Sequence, residues 1–125
     1  MLRGIGIDLV EVARVKDLLE RRGARFTARV FTEAEVAYCD RQARPELHFA
    51  ARFAAKEAAM KLLGTGWADG VGFRDIEVVP DPKGAPRLVL RGRALERAVA
   101  LGIDRALVSL THTDGMAAAA VVGEG

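Results

Sequence analysis

Three charged side chains in this sequence have the chemistry and spacing of a phosphoryl-transfer site. Asp8 lies in a short run of alternating glycine and aliphatic residues, and Glu57 and Lys61 are four residues apart in an alanine-rich segment. Magnesium typically takes one or two carboxylates and completes its shell with waters and substrate phosphate oxygens, and a lysine ammonium suits phosphate charge. Spacing alone leaves an ordinary helix-stabilising pair of ~0.2 to 0.5 kcal/mol as the simpler interpretation of Glu57 and Lys61.

Other kinds of site have less support in the sequence. One cysteine, Cys39, and two distant histidines, His48 and His112, cannot supply the usual ligands of a zinc site. Ser109, His112 and Asp114 could be assembled into a catalytic triad, but no nucleophile elbow or oxyanion hole accompanies them. No Walker loop and no dinucleotide-binding fingerprint is present. Nucleophilic catalysis by this chain is therefore not supported.

The sequence around each charged residue predicts the element that positions it. Between residues 4 and 10, aliphatic residues alternate with two glycines and Asp8, which predicts a strand with one apolar face and one face that is bare except for a carboxylate. The glycines leave room either for a ligand near Asp8 or for a helix packed tightly on the strand. Glu57 and Lys61 fall in the longest predicted helix, from about Pro45 to Leu63, with Gly64 as its stop.

The rest of the chain completes an α+β pattern of strand, three helices, two strands, helix and two strands. The first helix starts at Val12 and ends at Gly23, and the second starts at a capping box of Thr32 and Glu35. Half-exposed antiparallel strands are predicted around residues 75–78 and 87–91, and an amphipathic helix follows Gly92. Residues 106–113 and 116–122 flank a turn and predict a hairpin.

The composition is that of one globular domain. The chain has 125 residues, of which 50% are hydrophobic and 29% charged, so it can bury a core of its own but is too short for separate catalytic and regulatory domains. One cysteine cannot form an internal disulfide, and the longest apolar run, 116–122, falls far short of the ~20 residues of a membrane span. We expect a single domain over residues 1–125, in the cytoplasm and without a membrane partner.

Basic side chains are concentrated in one segment. Residues 12–30 carry six basic and two acidic side chains, a net charge of +4, and the rest of the chain carries −2. This segment suggests an acidic partner, although a solvated helix face explains it equally well. A nucleic-acid partner is disfavoured, because aromatic residues make up only 6% of the chain and no nucleic-acid-binding motif is recognised. A pure interaction protein would leave Asp8, Glu57 and Lys61 unexplained.

Three stretches of the sequence carry a family resemblance. They are Gly4-Ile-Gly-Ile-Asp8-Leu-Val-Glu-Val12, Arg52-Phe-Ala-Ala-Lys-Glu57-Ala-Ala-Met-Lys61-Leu-Leu-Gly64-Thr-Gly66 and Ser109-Leu-Thr-His112-Thr113. In this order, and over nearly the whole chain, they resemble the bacterial holo-acyl-carrier-protein synthases, which are small phosphopantetheinyl transferases. The middle motif is the most diagnostic of the three.

The resemblance implies a phosphopantetheinyl transferase fold, an antiparallel sheet packed with helices, that assembles as a homotrimer with active sites between subunits. The implied reaction transfers phosphopantetheine from coenzyme A to a serine of apo acyl carrier protein, giving holo acyl carrier protein and adenosine 3′,5′-bisphosphate. The implied cofactor is magnesium, with Asp8 and Glu57 as its ligands, and Lys61 contacts the bridging phosphates. Asp8, Glu57 and Lys61 are then the catalytic residues, and the general base is Asp8 or Glu57 acting through a water.

Further residues are assigned by the same resemblance to coenzyme A binding. The motifs assign Arg52, Phe53, Lys61, Gly64, Ser109, Thr111 and His112 to its pocket, with His112 as a phosphate contact rather than a base. The resemblance also assigns Asp81, Gly84 and Pro86 to a loop that reaches the nucleotide bound to a neighbouring subunit. Trp67 stands where the family leads us to expect a smaller aliphatic residue, which bears on the shape of the pocket rim. Because carrier proteins of this kind are acidic, the basic first helix suggests Arg14, Arg21 and Arg25 for docking.

Overall fold

A computed structural model describes residues 1–65 and 70–125 of the chain. Within these residues the elements follow in the order strand, four helices, two strands, helix and two strands. They are β1 (Leu2–Glu11), α1 (Val12–Arg22), α2 (Ala24–Val30), α3 (Glu33–Asp40), α4 (Pro45–Leu63), β2 (Ile76–Pro80), β3 (Pro86–Leu90), α5 (Gly92–Ala100), β4 (Arg105–His112) and β5 (Met116–Glu124). Gly66, the last residue of the middle motif, and Trp67, which was expected to affect the pocket rim, lie outside the described residues.

The strands form two antiparallel sheets. The larger sheet has the order β1-β5-β4, and the smaller one pairs β2 with β3. The strand predicted near the start of the chain and the hairpin predicted near its end are both present, although their pairing into one sheet was not predicted. The α+β class with antiparallel sheets is confirmed. The two chain ends also meet, because the Met1 ammonium donates to the Gly125 carbonyl oxygen at 3.0 Å.

Helix α4 packs directly on β1 of the larger sheet. A Cβ atom added at Gly6 would lie 1.9 Å from the carbonyl oxygen of Ala58, so no residue with a side chain fits there without moving the helix. The question that the sequence left open is thus answered for Gly6: this glycine lets the helix backbone approach the strand. Asp8 follows two residues later on the same face of β1.

The opposite face of the larger sheet, which we call the outer sheet face, is apolar and exposed. Ile5, Ile7 and Leu9 of β1 are 66%, 65% and 64% exposed. Each pairs with a small or aliphatic residue of β5, and Leu107 of β4 lies across β5 from Ile5. One chain by itself leaves this surface in water.

The helix ends agree with the sequence signals, but the number of helices does not. The backbone N–H of Glu35 donates to the Thr32 hydroxyl at 3.2 Å, and the Thr32 N–H donates to the Glu35 carboxylate at 2.8 Å, which confirms the capping box. Gly64 ends α4 with φ +65°. The prediction of three helices before β2 was wrong: α2 is a seven-residue helix, shorter than the window in which apolar periodicity is detectable.

Strand β2 is more buried than predicted. The alternation predicted a half-exposed strand, but Glu77 is only 7% exposed between the buried residues Ile76 and Val78. Its carboxylate accepts a hydrogen bond from the Thr32 hydroxyl at 2.6 Å and pairs with Arg91 at 2.8 Å. These two partners hold the pKa of Glu77 below its usual range although burial acts in the opposite direction.

Glu35 of α3 is a second buried acid, and it forms an ion pair inside the core. The Nζ of Lys56 lies 2.7 Å from Oε1 of Glu35, and neither side chain is exposed. The same ammonium donates to the carbonyl oxygens of Phe73 at 3.0 Å and Ile76 at 2.5 Å, so its three N–H groups face three acceptors. Glu35 also accepts from the N–H of Val78 at 2.9 Å. The pair thereby joins α4 to α3 and to the start of β2.

Among the described residues, no helix is both long enough and apolar enough to span a membrane.

Candidate active site

Asp8 and Lys61 meet where β1 lies against the C-terminal half of α4. The Nζ of Lys61 donates to Oδ1 of Asp8 at 2.9 Å and to the carbonyl oxygen of Ile7 at 3.1 Å. The Asp8 side chain is 11% exposed, whereas that of Lys61 is 58% exposed. The lysine therefore reaches from the surface onto a carboxylate that is mostly covered.

Glu57 lies one helical turn before Lys61 in α4. Together with Asp8 and Lys61 it forms a group that we call the acidic cluster. Burial raises the pKa of Glu57, and the neighbouring Asp8 carboxylate raises it further. Arg14 and Lys61 act in the opposite direction without cancelling these effects. Two acids that are far apart in the sequence thus lie close together, and Asp8 disfavours the ionised form of Glu57.

The cluster has the features of a cation site that prefers oxygen ligands. Oδ2 of Asp8 is buried and has no hydrogen-bond partner among the described residues, which is costly for a carboxylate oxygen. The part of the chain that the structure describes contains no group of three or more metal-binding side chains. Asp8 and Glu57 would therefore supply two carboxylates only. This ligand set fits magnesium, which retains waters and binds substrate phosphates, better than a metal that needs a complete protein cage.

A basic cavity opens beside Glu57. It has a volume of about 470 Å³ and combines arginines with apolar and aromatic side chains; its lining is Arg14, Leu18, Arg22, Arg25, Phe26, Arg29, Val30, Phe53, Glu57 and Phe73. Two of the arginines predicted for carrier docking are thus next to the acidic cluster. The third, Arg21, instead pairs with Asp17 at 3.1 Å on the exposed side of α1.

Arg22 and Arg29 also line this cavity but were not singled out from the sequence. A spacing signal existed, since Arg22 is eight residues after Arg14 and Arg29 is four residues after Arg25, which places each pair on one helix side. The signal was incomplete because the break at Gly23 separates α1 from α2, and the relative direction of two helices cannot be read from spacing.

A second cationic cluster surrounds Arg52. This residue is 4% exposed, its guanidinium stacks on the Tyr38 ring at 4.2 Å, and its Nε has no hydrogen-bond partner in the described parts of the chain. The ring of His48 lies 6.2 Å from that of His112. Burial, Arg52 and His112 all lower the pKa of His48. Arg52 is a buried cation without an acidic partner in the described residues, which makes this region suitable for an anion.

The remaining predicted site residues lie elsewhere in the chain. Ser109 and Thr111 project from the outer sheet face, opposite to the face that carries Asp8. Gly64 ends α4 near Arg97, which donates to the Leu63 carbonyl oxygen at 3.0 Å. The β2-β3 turn contains Asp81 and Gly84, and Pro86 begins β3. A single chain therefore unites Asp8, Glu57, Lys61 and Phe53, and separately brings Arg52 near His112.

The chain is similar to known proteins over its whole length. Residues 4–121 match the family model described as the 4′-phosphopantetheinyl transferase superfamily. A relative from Koribacter versatilis, named holo-[acyl-carrier-protein] synthase, is 48% identical over 124 residues, which are 99% of each chain.

Solved structures agree with this similarity. The holo-[acyl-carrier-protein] synthase of Neisseria meningitidis has a TM-score of 0.89 and 33% identity, with 100% of both chains covered. The Helicobacter pylori holo-[acyl-carrier-protein] synthase, solved in complex with coenzyme A, has a TM-score of 0.84 and 32% identity, with 96% of this chain and 99% of that chain covered. Because the family match extends from residue 4 to residue 121, it includes all three residues of the acidic cluster.

Proposed function

Since this chain belongs to the 4′-phosphopantetheinyl transferase superfamily and is an enzyme of that class, we propose that it transfers phosphopantetheine from coenzyme A to a serine of an apo acyl carrier protein. The products are holo acyl carrier protein and adenosine 3′,5′-bisphosphate. The meeting of Asp8, Glu57 and Lys61 in one cluster is the observation that carries this proposal. The names of the relatives and the coenzyme A bound to a similar structure support it.

Asp8 and Glu57 are the proposed magnesium ligands. Oδ2 of Asp8 has no partner among the described residues, and the pKa of Glu57 is raised; both support this assignment, because a cation between the two carboxylates would remove both penalties. When bound, magnesium supplies charge neutralisation and electrophilic activation of the diphosphate of coenzyme A.

The side chains of the cluster serve the two ends of the reaction. The serine oxygen forms a bond to the phosphorus that bears the pantetheine arm, and the bond from that phosphorus to the leaving nucleotide breaks. Lys61, exposed and positively charged, stabilises the negative charge that develops on the leaving phosphate. Asp8 or Glu57 accepts the serine proton through a water, as a general base.

The two basic regions bind the two charged partners in this proposal. The cavity lined by Arg14 and Arg25 receives the acidic carrier protein beside Glu57, and Arg21 extends the same charge along α1. Arg52 and His112 bind a phosphate of coenzyme A, and the lack of an acidic partner for Arg52 in the described residues supports this role. The enzyme acts in the cytoplasm, with which the free and buried Cys39 is consistent.

We also propose that the chain forms a homotrimer with active sites between subunits. The outer sheet face supports self-association, since Ile5, Ile7 and Leu9 are each about two-thirds exposed in one chain. In such an assembly Ser109, Thr111 and the β2-β3 turn of one subunit serve the acidic cluster of another. Sedimentation of the purified protein tests the trimer, and a monomer at all concentrations would contradict it.

The transfer reaction is tested directly with coenzyme A, magnesium and an apo carrier protein. Intact-mass measurement of the carrier should show the gain of one phosphopantetheine group on its serine. Asp8→Ala should reduce turnover by ~10²- to 10⁴-fold at saturating magnesium, the range expected for loss of a well-placed general base or metal ligand. Unchanged carrier mass with the wild-type enzyme would refute the activity, and near-normal turnover of Asp8→Ala would refute the metal-centred site.

A further inference from the structure

Lys61 is bound to a protein carboxylate in the structure, although the proposed function requires it on a phosphate. Its ammonium donates to Oδ1 of Asp8 and to the carbonyl oxygen of Ile7. An ammonium has three N–H donors, and no described residue accepts the third. The carboxylate that would bind the metal and the lysine that would bind the phosphate are therefore occupied with each other.

We infer that Lys61 is the counter-cation of Asp8 in the ion-free enzyme, and that a divalent cation displaces it and thereby frees it for the diphosphate. This inference rests on the proposed function. The lysine is then a competitor of the metal before coenzyme A binds and a ligand of the substrate afterwards.

The burial of the two partners supports an exchange of this kind. Asp8 is 11% exposed and fixed on a strand beneath α4, so it remains in place. Lys61 is 58% exposed on a flexible four-carbon stem, and it leaves Asp8 at little conformational cost. Of the two oxygens of Asp8, only Oδ1 is paired within residues 1–65 and 70–125, and the buried Oδ2 is left to pair with a further cation.

The exchange fixes a preferred order of binding. Coenzyme A that arrives before the cation finds Lys61 engaged with Asp8, and it must break that ion pair without a replacement cation for the carboxylates. Coenzyme A that arrives after the cation finds a free ammonium and a neutralised acidic pair. Binding of the cation and of coenzyme A should therefore be positively coupled through Lys61.

The first test measures the affinity of Mn²⁺ for the protein without coenzyme A, from the electron paramagnetic resonance signal of free Mn²⁺. Lys61→Gln removes the competitor and should bind Mn²⁺ about fivefold more tightly than wild type, the upper range for a partly exposed ion pair. Long-range repulsion by the lysine charge would also give tighter binding, so a second basic residue is needed as a control.

Arg14→Gln is the matched control. It removes one positive charge that, like Lys61, lowers the pKa of Glu57, and none of the described contacts ties Arg14 to Asp8. Displacement predicts a larger gain in Mn²⁺ affinity for Lys61→Gln than for Arg14→Gln, whereas long-range repulsion alone predicts comparable gains. An equal or larger effect of Arg14→Gln would overturn the inference.

The second test follows the wild-type lysine and needs no variant to fold. In protein labelled with ¹⁵N-lysine, the ammonium signal of Lys61 should shift when Mg²⁺ is added in the absence of coenzyme A, because its bond to Asp8 is lost. A signal unmoved at Mg²⁺ saturation would overturn the inference while leaving the transfer activity intact. Failure of the wild-type enzyme both to bind Mn²⁺ and to modify the carrier would instead refute the proposed function, and this inference with it.

Discussion

Two lysines of α4, five residues apart, pair with acids in opposite ways. Lys56 and Glu35 are fully buried, and the ammonium has an acceptor for each of its three N–H groups. Lys61 is mostly exposed, uses two donors, and leaves one oxygen of Asp8 without a partner in the part of the chain that the structure describes. Both pairs join a lysine to a carboxylate; burial and hydrogen-bond completeness distinguish them.

The difference separates a structural ion pair from a reactive one. Completing every hydrogen bond around Lys56 compensates for the removal of its charge from water and ties three elements together, but leaves nothing free to bind a ligand. The incomplete pair at Asp8 retains unused charge beside a third ionisable group, which is the condition in which pKa values shift and cations bind. Four measurements test this distinction.

The largest expected effect is on stability when the buried pair is broken. Lys56→Met leaves the Glu35 carboxylate buried without its cation and should lower the free energy of unfolding by about 3 to 5 kcal/mol, measured by urea denaturation. The matched control is the double variant Lys56→Met with Glu35→Leu, which removes the unpaired buried charge and should recover part of this loss, but not the part due to the capping box and the Val78 N–H. A loss below ~1 kcal/mol in the single variant would contradict the structural role.

The same substitution at the open pair should cost much less. Lys61→Met removes a mostly exposed partner and should change the free energy of unfolding by no more than about 1 kcal/mol. Urea denaturation of both methionine variants under identical conditions gives the direct contrast. If the two losses were equal, burial and hydrogen-bond completeness would not distinguish the pairs.

A smaller effect is expected from the pH dependence of the acidic cluster. The pKa of Glu57 is raised in the folded state, so protonation favours folding: this contribution is fully present below the unfolded pKa of about 4.3 and is lost as pH rises through the folded pKa. Without metal, Glu57→Gln should therefore be more stable than wild type at pH 7, by less than about 1 kcal/mol after solvent screening. Melting temperatures between pH 4 and pH 7 should show this advantage vanish at the acidic end.

The melting temperatures of wild type and Glu57→Gln should also respond differently to added Mg²⁺. Wild type should gain stability from added Mg²⁺ at pH 7 by ligand linkage, whereas Glu57→Gln should gain less because one ligand oxygen has lost its charge. Equal gains in both proteins would show that Glu57 does not contribute to the cation site.

The smallest effect is expected at a pair that is exposed on both sides. Arg21 and Asp17 are 65% and 55% exposed and four residues apart on α1. Arg21→Ala should cost about 0.3 to 0.5 kcal/mol at low salt and less at 1 M salt, where such pairs are screened. A cost comparable to that of Lys56→Met would show that pairing rather than burial decides the energy.

Local signals in the sequence predicted the elements well, and tertiary contacts account for what they missed. The capping box at Thr32 and the stop at Gly64 are properties of a few neighbouring residues, and both are confirmed. The pairing of Lys56 with Glu35 depends on how α3 meets α4, and no spacing rule contains that information. The burial of Glu77 likewise depends on Thr32 and Arg91, which are distant in the sequence.

The same distinction between local signals and tertiary contacts applies to the candidate site. Asp8, Glu57 and Lys61 were identified from residue type and motif, and the structure brings them together. The stacking of Arg52 on Tyr38 requires α3 to pack on α4, and the approach of His48 to His112 requires the end of β4 to lie against α4. Neither helix spacing nor the hairpin signal specified these contacts. Ser109 and Thr111 point away from Asp8 because side chains alternate along β4.

The contact of Gly6 with Ala58 has a consequence for how the enzyme tolerates change. Backbone touches backbone there, two residues before Asp8 and one residue after Glu57. The gap between the backbones that carry the two acids is consequently set by main-chain atoms, which have no rotamers to adjust. Surface charges around the gap can be exchanged without altering its width, whereas one methyl group placed at Gly6 would widen it.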